Sequence, residues 1–203
     1  MVAIIDYNMG NLASVRNALA KIGAKSEVVA DPDRLAAYDR ALLPGVGAFG
    51  DAMVHLRREG MDDAVKSFAA SGKPMLGICL GMQLLFSKSL EFGEHEGLGL
   101  VPGEVVPFDA KMFATPHKVP HMGWNELFVQ RQTPLFAGLP EAFYLYFVHS
   151  YHAVAPESVV IGRTWYGYEF VSAVQHGNVF GIQPHPEKSH DNGLKILKNF
   201  VEL

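Results

Sequence analysis

The sequence predicts an α/β fold, with a mostly parallel sheet, helices on both faces and an antiparallel extension. In the first half, short apolar runs alternate with stretches whose apolar residues recur at helical spacing. In the second half, apolar runs follow one another through short connections, which is typical of antiparallel strands. With 203 residues, of which 49% are hydrophobic and 19% charged, residues 1–203 are expected to form one domain.

The elements of the first half follow from its apolar pattern and its turn residues. Gly23 ends the first helical pattern, and a proline between two aspartates at 31–33 breaks the chain before the third strand. Buried parallel strands read as continuous apolar runs, and the short runs here have that character. The predicted strands are residues 2–6, 27–29, 41–43 and 74–78, and the predicted helices are 12–22, 50–70 with an interruption at Gly60, and 82–86.

The second half is predicted to form an antiparallel set of strands and one closing helix. A hairpin turn is expected at 176–178, where His-Gly-Asn separates two apolar runs. The last residues carry Leu194, Leu197, Phe200 and Val201 at helical spacing. The predicted strands are 104–108, 143–148, 159–164, 170–175 and 179–183.

Composition excludes several classes of function. The net charge is −4 and no Lys/Arg run occurs, so we expect no nucleic-acid partner. No apolar stretch approaches the ~20 residues of a bilayer span, and Asp6 comes too early for a signal peptide. The single cysteine cannot form an internal disulfide. We therefore expect a cytoplasmic protein without membrane association.

The strongest chemical signal is a cysteine at a predicted strand-to-helix turn. Cys79 follows the strand 74–78 and is flanked by Gly77 and Gly81. A nucleophile elbow needs this arrangement, because the sharp turn lifts the nucleophile above the sheet and only small neighbours leave room. The start of the following helix would favour the thiolate, and the Leu80 N–H would face a developing oxyanion. The alternative is that Cys79 is a small buried hydrophobic residue.

A cysteine nucleophile needs a base and a group that orients the base. Among nine histidines, His185 is the best candidate, because it closes an apolar strand at the sheet edge where α/β folds place their sites. Glu187 lies two residues further, and in an extended segment both side chains would face the same way. The alternative is a loop histidine beside a surface glutamate.

Residues 44–47 (Pro-Gly-Val-Gly) end another strand at the same edge. Their glycines would let the backbone approach a substrate closely, and free N–H groups there could complete an oxyanion hole. The alternative is an ordinary tight turn.

Together, these three segments resemble the class I (triad) glutamine amidotransferases. Residues 77–83 (Gly-Ile-Cys-Leu-Gly-Met-Gln) are similar to the family's nucleophile motif, 183–187 (Gln-Pro-His-Pro-Glu) to its His/Glu motif, and 44–47 to its oxyanion strand. The three occur in order, and the resemblance covers nearly the whole chain. It implies hydrolysis of the side-chain amide of L-glutamine without a metal or another cofactor.

The resemblance also implies a role for each residue of the site. Its catalytic residues would be Cys79, His185 and Glu187, and its oxyanion hole would use Val46, Gly47 and Leu80. The substrate would be bound by Gly47, Gln83, Ser150 and Tyr151.

Further stretches resemble a subgroup of the family that works as a heterodimer with a (β/α)8 cyclase subunit. They are residues 6–12, 118–125 (Lys-Val-Pro-His-Met-Gly-Trp-Asn), 146–151 and 188–189. The resemblance implies that ammonia passes to the cyclase. Trp124 could equally be core packing, and Lys188 a surface cation. The implied partner contacts are Asn11, Ser14, Met122, Trp124, Tyr144 and Lys188.

Three other interpretations remain open at this point. One is a triad amidotransferase that serves a different synthase, which residues 118–125 disfavour. Another is a cysteine hydrolase with a similar elbow, although such enzymes tend to place histidine next to the cysteine, where this chain has Leu80. The last is a non-catalytic binding module of the same fold, against which an intact Cys79, His185 and Glu187 argue.

Overall fold

A computed structural model describes residues 1–203. Its strands form one continuous sheet, and helices cover both faces of that sheet. The five helices are α1 (Leu12–Lys21), α2 (Phe49–Arg58), α3 (Met61–Ala70), α4 (Leu80–Leu84) and α5 (His190–Val201). The thirteen strands are β1 (Val2–Ile5), β2 (Ser26–Val29), β3 (Arg40–Gly45), β4 (Met75–Cys79), β5 (Phe86–Ser89), β6 (His95–Glu96), β7 (Val101–Pro107), β8 (His121–Val129), β9 (Ala142–His149), β10 (Tyr151–Val154), β11 (Val160–Tyr166), β12 (Tyr168–His176) and β13 (Val179–Ile182).

The parallel half of the sheet has the strand order β2-β1-β3-β4-β13. The register pairs Gly45 with Cys79 and Ile182 with Ile78. The carboxyl ends of β3, β4 and β13 therefore meet at one edge. Ligand sites of α/β sheets lie at such an edge.

Side chains that alternate along the parallel strands build one hydrophobic core on each face of the sheet. In β1, Ala3 and Ile5 join the core under α2, α3 and α4, whereas Val2 and Ile4 join the core under α1 and α5. This alternation follows from the two-residue period of a strand. No helix is long and apolar enough to cross a lipid bilayer.

The antiparallel extension continues the sheet beyond β13 through β12, β10 and β7. A second branch leaves β12 through β11 to β8 and β9. The β8–β9 pair returns to the edge where β3, β4 and β13 end, because the backbone N–H of His185 donates to the Tyr146 carbonyl of β9 at 2.9 Å.

The predicted α/β class, with a largely parallel sheet and an antiparallel extension, is confirmed. The helix expected at 82–86 is wrong in its bounds, because α4 begins directly after Cys79 and Phe86 already starts β5. The strand predicted at 41–43 continues through Pro44 and Gly45. Four strands, β5, β6, β8 and β10, were not predicted from the sequence.

Candidate active site

Cys79 lies at a sharp turn between β4 and α4, as a nucleophile elbow requires. Its φ of 55° and ψ of −113° are strained for a residue with a side chain, and such strain is typical of functional sites. A Cβ on Gly81 would overlap the Leu43 carbonyl oxygen, and one on Gly77 would lie 2.6 Å from the Gly81 oxygen. Both glycines are therefore needed for α4 to start this close to the sheet.

The sulfur of Cys79 is nearly buried and lies among polar groups. The Gln183 amide donates toward Sγ at 3.7 Å, and Sγ lies 3.8 Å from the Val148 carbonyl. Gln183 is fully buried, and its Oε1 accepts from Gln83 Nε2 at 3.0 Å. The Gln183 amide therefore supplies a side-chain donor aimed at the sulfur.

The side chains of His185 and Glu187 form a buried pair. His185 Nδ1 lies 2.7 Å from Glu187 Oε1, and the two side chains are 4% and 2% exposed. Nδ1 therefore donates to the carboxylate, and Nε2, which has no hydrogen-bond partner, is free to act toward the pocket.

Burial lowers the pKa of His185, but nearby Cys79 and Glu187 outweigh burial and raise it above its ordinary value. The imidazolium is favoured by hydrogen bonding to these two groups and by their charge. The surroundings of His185 therefore favour its protonated form.

The segment that carries His185 and Glu187 differs from the extended form predicted. Residues 186–188 form a 3-10 turn that begins at Pro186, so the extended-strand argument for this pair was wrong although the two side chains meet. Ser189 fixes the turn, because its hydroxyl donates to the His185 carbonyl at 2.6 Å and accepts from the Tyr146 N–H at 2.9 Å.

One pocket of about 390 Å³ brings most of the predicted site residues together. Cys79 and His185 line it, while Glu187 lies behind His185, outside the lining. Every residue predicted for the oxyanion hole and for substrate binding reaches this pocket: Val46, Gly47, Leu80, Gln83, Ser150 and Tyr151.

The segment after β3 approaches the pocket in a conformation that favours glycine. Gly47 has a φ of +99°, and a Cβ there would also press on Met9. The end of β3 is tied down by Tyr7, whose hydroxyl donates to the Pro44 carbonyl at 2.9 Å. Burial raises the pKa of Tyr7, with a further contribution from Cys79, so its hydroxyl remains a proton donor.

A family model described as glutamine amidotransferase class-I matches residues 3–203. The chain belongs to the class I glutamine amidotransferases. Two bacterial relatives of this amidotransferase carry the name imidazole glycerol phosphate synthase subunit HisH. The protein from Sulfurimonas denitrificans is 66% identical over 100% of this chain and 98% of its own length. That from Wolinella succinogenes is 62% identical over 100% of both chains.

Solved structures of low sequence identity share the fold of this amidotransferase. PurLQS from Thermotoga maritima superposes with a TM-score of 0.78 at 24% identity, covering 99% of this chain and 97% of that chain. A second crystal structure, of a glutamine amidotransferase, has a TM-score of 0.77 at 21% identity and covers 100% and 98%.

Three residues of the amidotransferase site were not predicted from the sequence. Tyr7 ties down the end of β3, and Gln183 donates toward the sulfur of Cys79, as described above. Glu91 lines the pocket with a mostly buried carboxylate, which accepts from the Phe49 N–H at the start of α2 at 2.6 Å. The position of Gln183 just before the predicted catalytic histidine was an available signal, whereas Glu91 follows no motif.

The residues predicted to contact a partner of the amidotransferase lie on one face beside the His185–Glu187 pair. Ser14 and Lys188 line a shared surface pocket with His190, whose ring stacks on Trp124 at 5.1 Å. Asn11 caps α1 by accepting from the Ser14 N–H. The core-packing alternative for Trp124 is disfavoured because Met122, Trp124 and Tyr144 are 62%, 47% and 52% exposed.

Proposed function

We propose that this chain is the glutaminase subunit of an imidazole glycerol phosphate synthase. It would hydrolyse L-glutamine to L-glutamate and ammonia in L-histidine biosynthesis. The observation that carries the proposal is the pocket in which the elbow cysteine Cys79 and the oriented base His185 meet. The names of the relatives at 66% and 62% identity supply the choice of synthase.

In the first half of the reaction, the Cys79 thiolate attacks the side-chain amide carbon of glutamine. The carbonyl oxygen becomes an oxyanion, which the Leu80 N–H and a backbone N–H of the Val46–Gly47 stretch would stabilise. His185 then gives the proton on Nε2 to the leaving nitrogen, and ammonia departs. A γ-glutamyl thioester on Cys79 remains.

In the second half, water attacks the thioester, and His185 Nε2 accepts its proton. The thiolate leaves, and glutamate is released. Glu187 holds Nδ1–H and stabilises the imidazolium in both halves of the reaction. The 2.7 Å contact between Nδ1 and Oε1 supports that role.

Substrate recognition is assigned to the walls of the pocket. Gly47, Gln83, Ser150 and Tyr151 are proposed to hold glutamine, in agreement with their place in the lining. The carboxylate of Glu91 on the same wall has the charge to attract the α-ammonium group of the substrate.

The proposed partner is HisF, the (β/α)8 cyclase subunit, which would receive the ammonia as the second half of a heterodimer. The candidate docking face is formed by Asn11, Ser14, Met122, Trp124, Tyr144 and Lys188. Exposed aromatic residues with a cation nearby are typical of interface anchors. We place this complex in the cytoplasm, which the chain's single free cysteine supports.

Glutamine hydrolysis by the purified chain tests this function, alone and with a cyclase subunit plus its nucleotide ligand. We expect strong stimulation by the liganded cyclase and no activity in Cys79→Ala. If Cys79 is alkylated by the glutamine analogue acivicin but the cyclase gives no stimulation, the chain is a glutaminase of another synthase. If neither acivicin nor the cyclase has an effect, the glutaminase proposal is wrong.

A further inference from the structure

A chain of buried hydrogen bonds connects β8 to the wall of the active-site pocket. Asn125 Nδ2 lies 3.2 Å from His121 Nε2, and His121 Nδ1 lies 2.9 Å from His149 Nε2. His149 Nδ1 lies 2.7 Å from the Tyr151 carbonyl oxygen. His121 and His149 are a directly opposed pair of β8 and β9, and they are 2% and 6% exposed.

The Asn125 side chain fixes the direction of each hydrogen bond in the series from Asn125 to the Tyr151 carbonyl. Its Nδ2 also donates to the Trp165 carbonyl at 2.8 Å, and its Oδ1 accepts from the Glu126 N–H at 2.8 Å, so the amide has one orientation. Asn125 therefore donates to His121 Nε2, and His121 must carry its proton on Nδ1.

The same reasoning extends to the second imidazole. His121 Nδ1–H donates to His149 Nε2, and His149 Nδ1–H donates to the Tyr151 carbonyl. Both rings are then neutral, which agrees with the effect of burial: it lowers the pKa of His121 to about 4 and that of His149 well below its ordinary value.

This series of hydrogen bonds ends on the Tyr151 carbonyl oxygen, which also holds the side chain of Gln83, a proposed substrate-binding residue. The Tyr151 carbonyl accepts a second hydrogen bond, from Gln83 Nε2 at 3.2 Å. Gln83 Nε2 in turn donates to Gln183, whose own amide donates toward Cys79 Sγ. A shift of the Tyr151 carbonyl would thus disturb both the substrate wall and the surroundings of the sulfur.

We propose that Asn125, His121 and His149 form a positioning relay that holds the Tyr151 carbonyl, and through it Gln83 and the Ser150–Tyr151 wall, in place for glutamine. The proposal rests on the proposed glutaminase function. His149 lines the pocket, but none of the three residues is hydrogen-bonded to Cys79 or His185, so we assign them as positioning residues. Because His121 precedes the exposed Met122 on β8, the relay also joins the candidate docking face to the pocket.

A purely structural role is the competing explanation, since both histidines belong to an aromatic cluster around Phe108. The ring of His149 lies 5.2 Å from that of Phe108, and the ring of His152 lies 4.8 Å from it. His152 is equally buried, but its Nε2 pairs with the Tyr168 hydroxyl and its Nδ1 with the Ala153 carbonyl, so its side chain does not hold the Tyr151 carbonyl. It is therefore a matched control.

The test compares His149→Leu, His149→Asn, His121→Leu and His152→Leu, each in complex with the cyclase subunit and its nucleotide ligand. Steady-state glutamine hydrolysis gives KM and kcat separately, and the thermal midpoint of each variant reports stability. Asparagine keeps a donor N–H near the position of Nδ1, so His149→Asn can still hold the Tyr151 carbonyl.

We expect KM for glutamine to rise about tenfold in His149→Leu and several-fold in His121→Leu, as the loss of a buried hydrogen bond implies. His149→Asn is expected to recover most of the loss, and His152→Leu to keep the wild-type KM. Equal KM values in His149→Leu and His152→Leu would overturn the relay, as would a failure of His149→Asn to recover. If the wild-type complex does not hydrolyse glutamine, the proposed function fails instead.

Discussion

Two regions of the molecule position groups around the same pocket in different ways. One is the parallel half of the sheet, and the other is the antiparallel layer, which consists of β8, β9 and β11. On the parallel side, backbone geometry places the groups: a strained Cys79, glycines with no room for a side chain and the left-handed Gly47. On the antiparallel side, hydrogen bonds between buried side chains do so, with His121 and His149 as the central pair.

The two regions therefore restrict the sequence differently: one excludes added atoms, and the other needs a hydrogen-bond donor. Backbone geometry tolerates no added atom, because a Cβ on Gly81 would occupy the place of the Leu43 oxygen. A hydrogen-bonded side chain can be replaced by another donor of similar reach, at the cost of one interaction. We therefore expect substitutions that disturb backbone geometry to have larger effects than those that remove a single side-chain interaction.

The largest effect is expected from Gly81→Ala. The new methyl group would displace the start of α4 or unfold the elbow, and alkylation of Cys79 by acivicin should slow by about a thousandfold or more. Gly23→Ala is the control, because Gly23 has a φ of +75° but no atom within 4 Å of its added Cβ. It should lose about 1 kcal/mol of stability and keep the alkylation rate. Similar alkylation rates in the two variants would show that the elbow does not require glycine at position 81.

Glu187→Gln comes next, with a loss of about a hundredfold or more in glutamine hydrolysis by the complex. The amide keeps the shape of the side chain but removes the charge that helps to raise the pKa of His185. The pKa of His185 should therefore fall in this variant, and the pH dependence of glutamine hydrolysis should shift to lower pH with it. An unchanged profile with wild-type activity would mean that Glu187 does not act on the base.

Trp124→Ala probes the antiparallel layer and should weaken cyclase binding about thirtyfold, as the loss of an interface aromatic anchor does. The measurement is the Kd for the cyclase subunit by calorimetry. Trp165→Ala is the control, because that side chain is 54% exposed on β11 and lies outside the proposed docking residues. If both variants bind equally well, the docking face has been placed on the wrong residues.

The smallest effect is expected from Gln183→Met, which removes the amide donor to Cys79 Sγ but keeps an unbranched side chain. Alkylation of Cys79 at neutral pH should slow about tenfold, the value of one hydrogen bond to a charged group. Gln175→Met on β12, outside the pocket, should have no effect. A wild-type rate in Gln183→Met would show that the 3.7 Å contact does not stabilise the thiolate.

The parallel half was largely predictable from the sequence, because its signals are local. Gly77 and Gly81 around Cys79 describe the elbow within five residues, and the strands on either side are plain apolar runs. The bounds of α4 were missed because packing against the sheet, and not helical periodicity, decides where so short a helix begins and ends.

The antiparallel layer was not predictable in the same way. β8 buries His121 and Leu127 while it exposes Met122 and Trp124, so its apolar residues lie partly on the outer face and hide the strand pattern. The contacts of Glu91 and of the two histidines arise between residues far apart in sequence. Only the tertiary fold brings them to the pocket.

The protonation of His185 tests most directly whether Cys79 and His185 act as one catalytic pair. Its ring can be followed by NMR titration of the chain labelled at histidine nitrogens, with His185→Gln to assign the signal. We predict that His185 stays protonated well above pH 6.5 and that Cys79→Ala lowers the pKa of His185, because the contribution of Cys79 is lost. A wild-type His185 that titrates near 6.5, or one whose pKa does not change in Cys79→Ala, would contradict it.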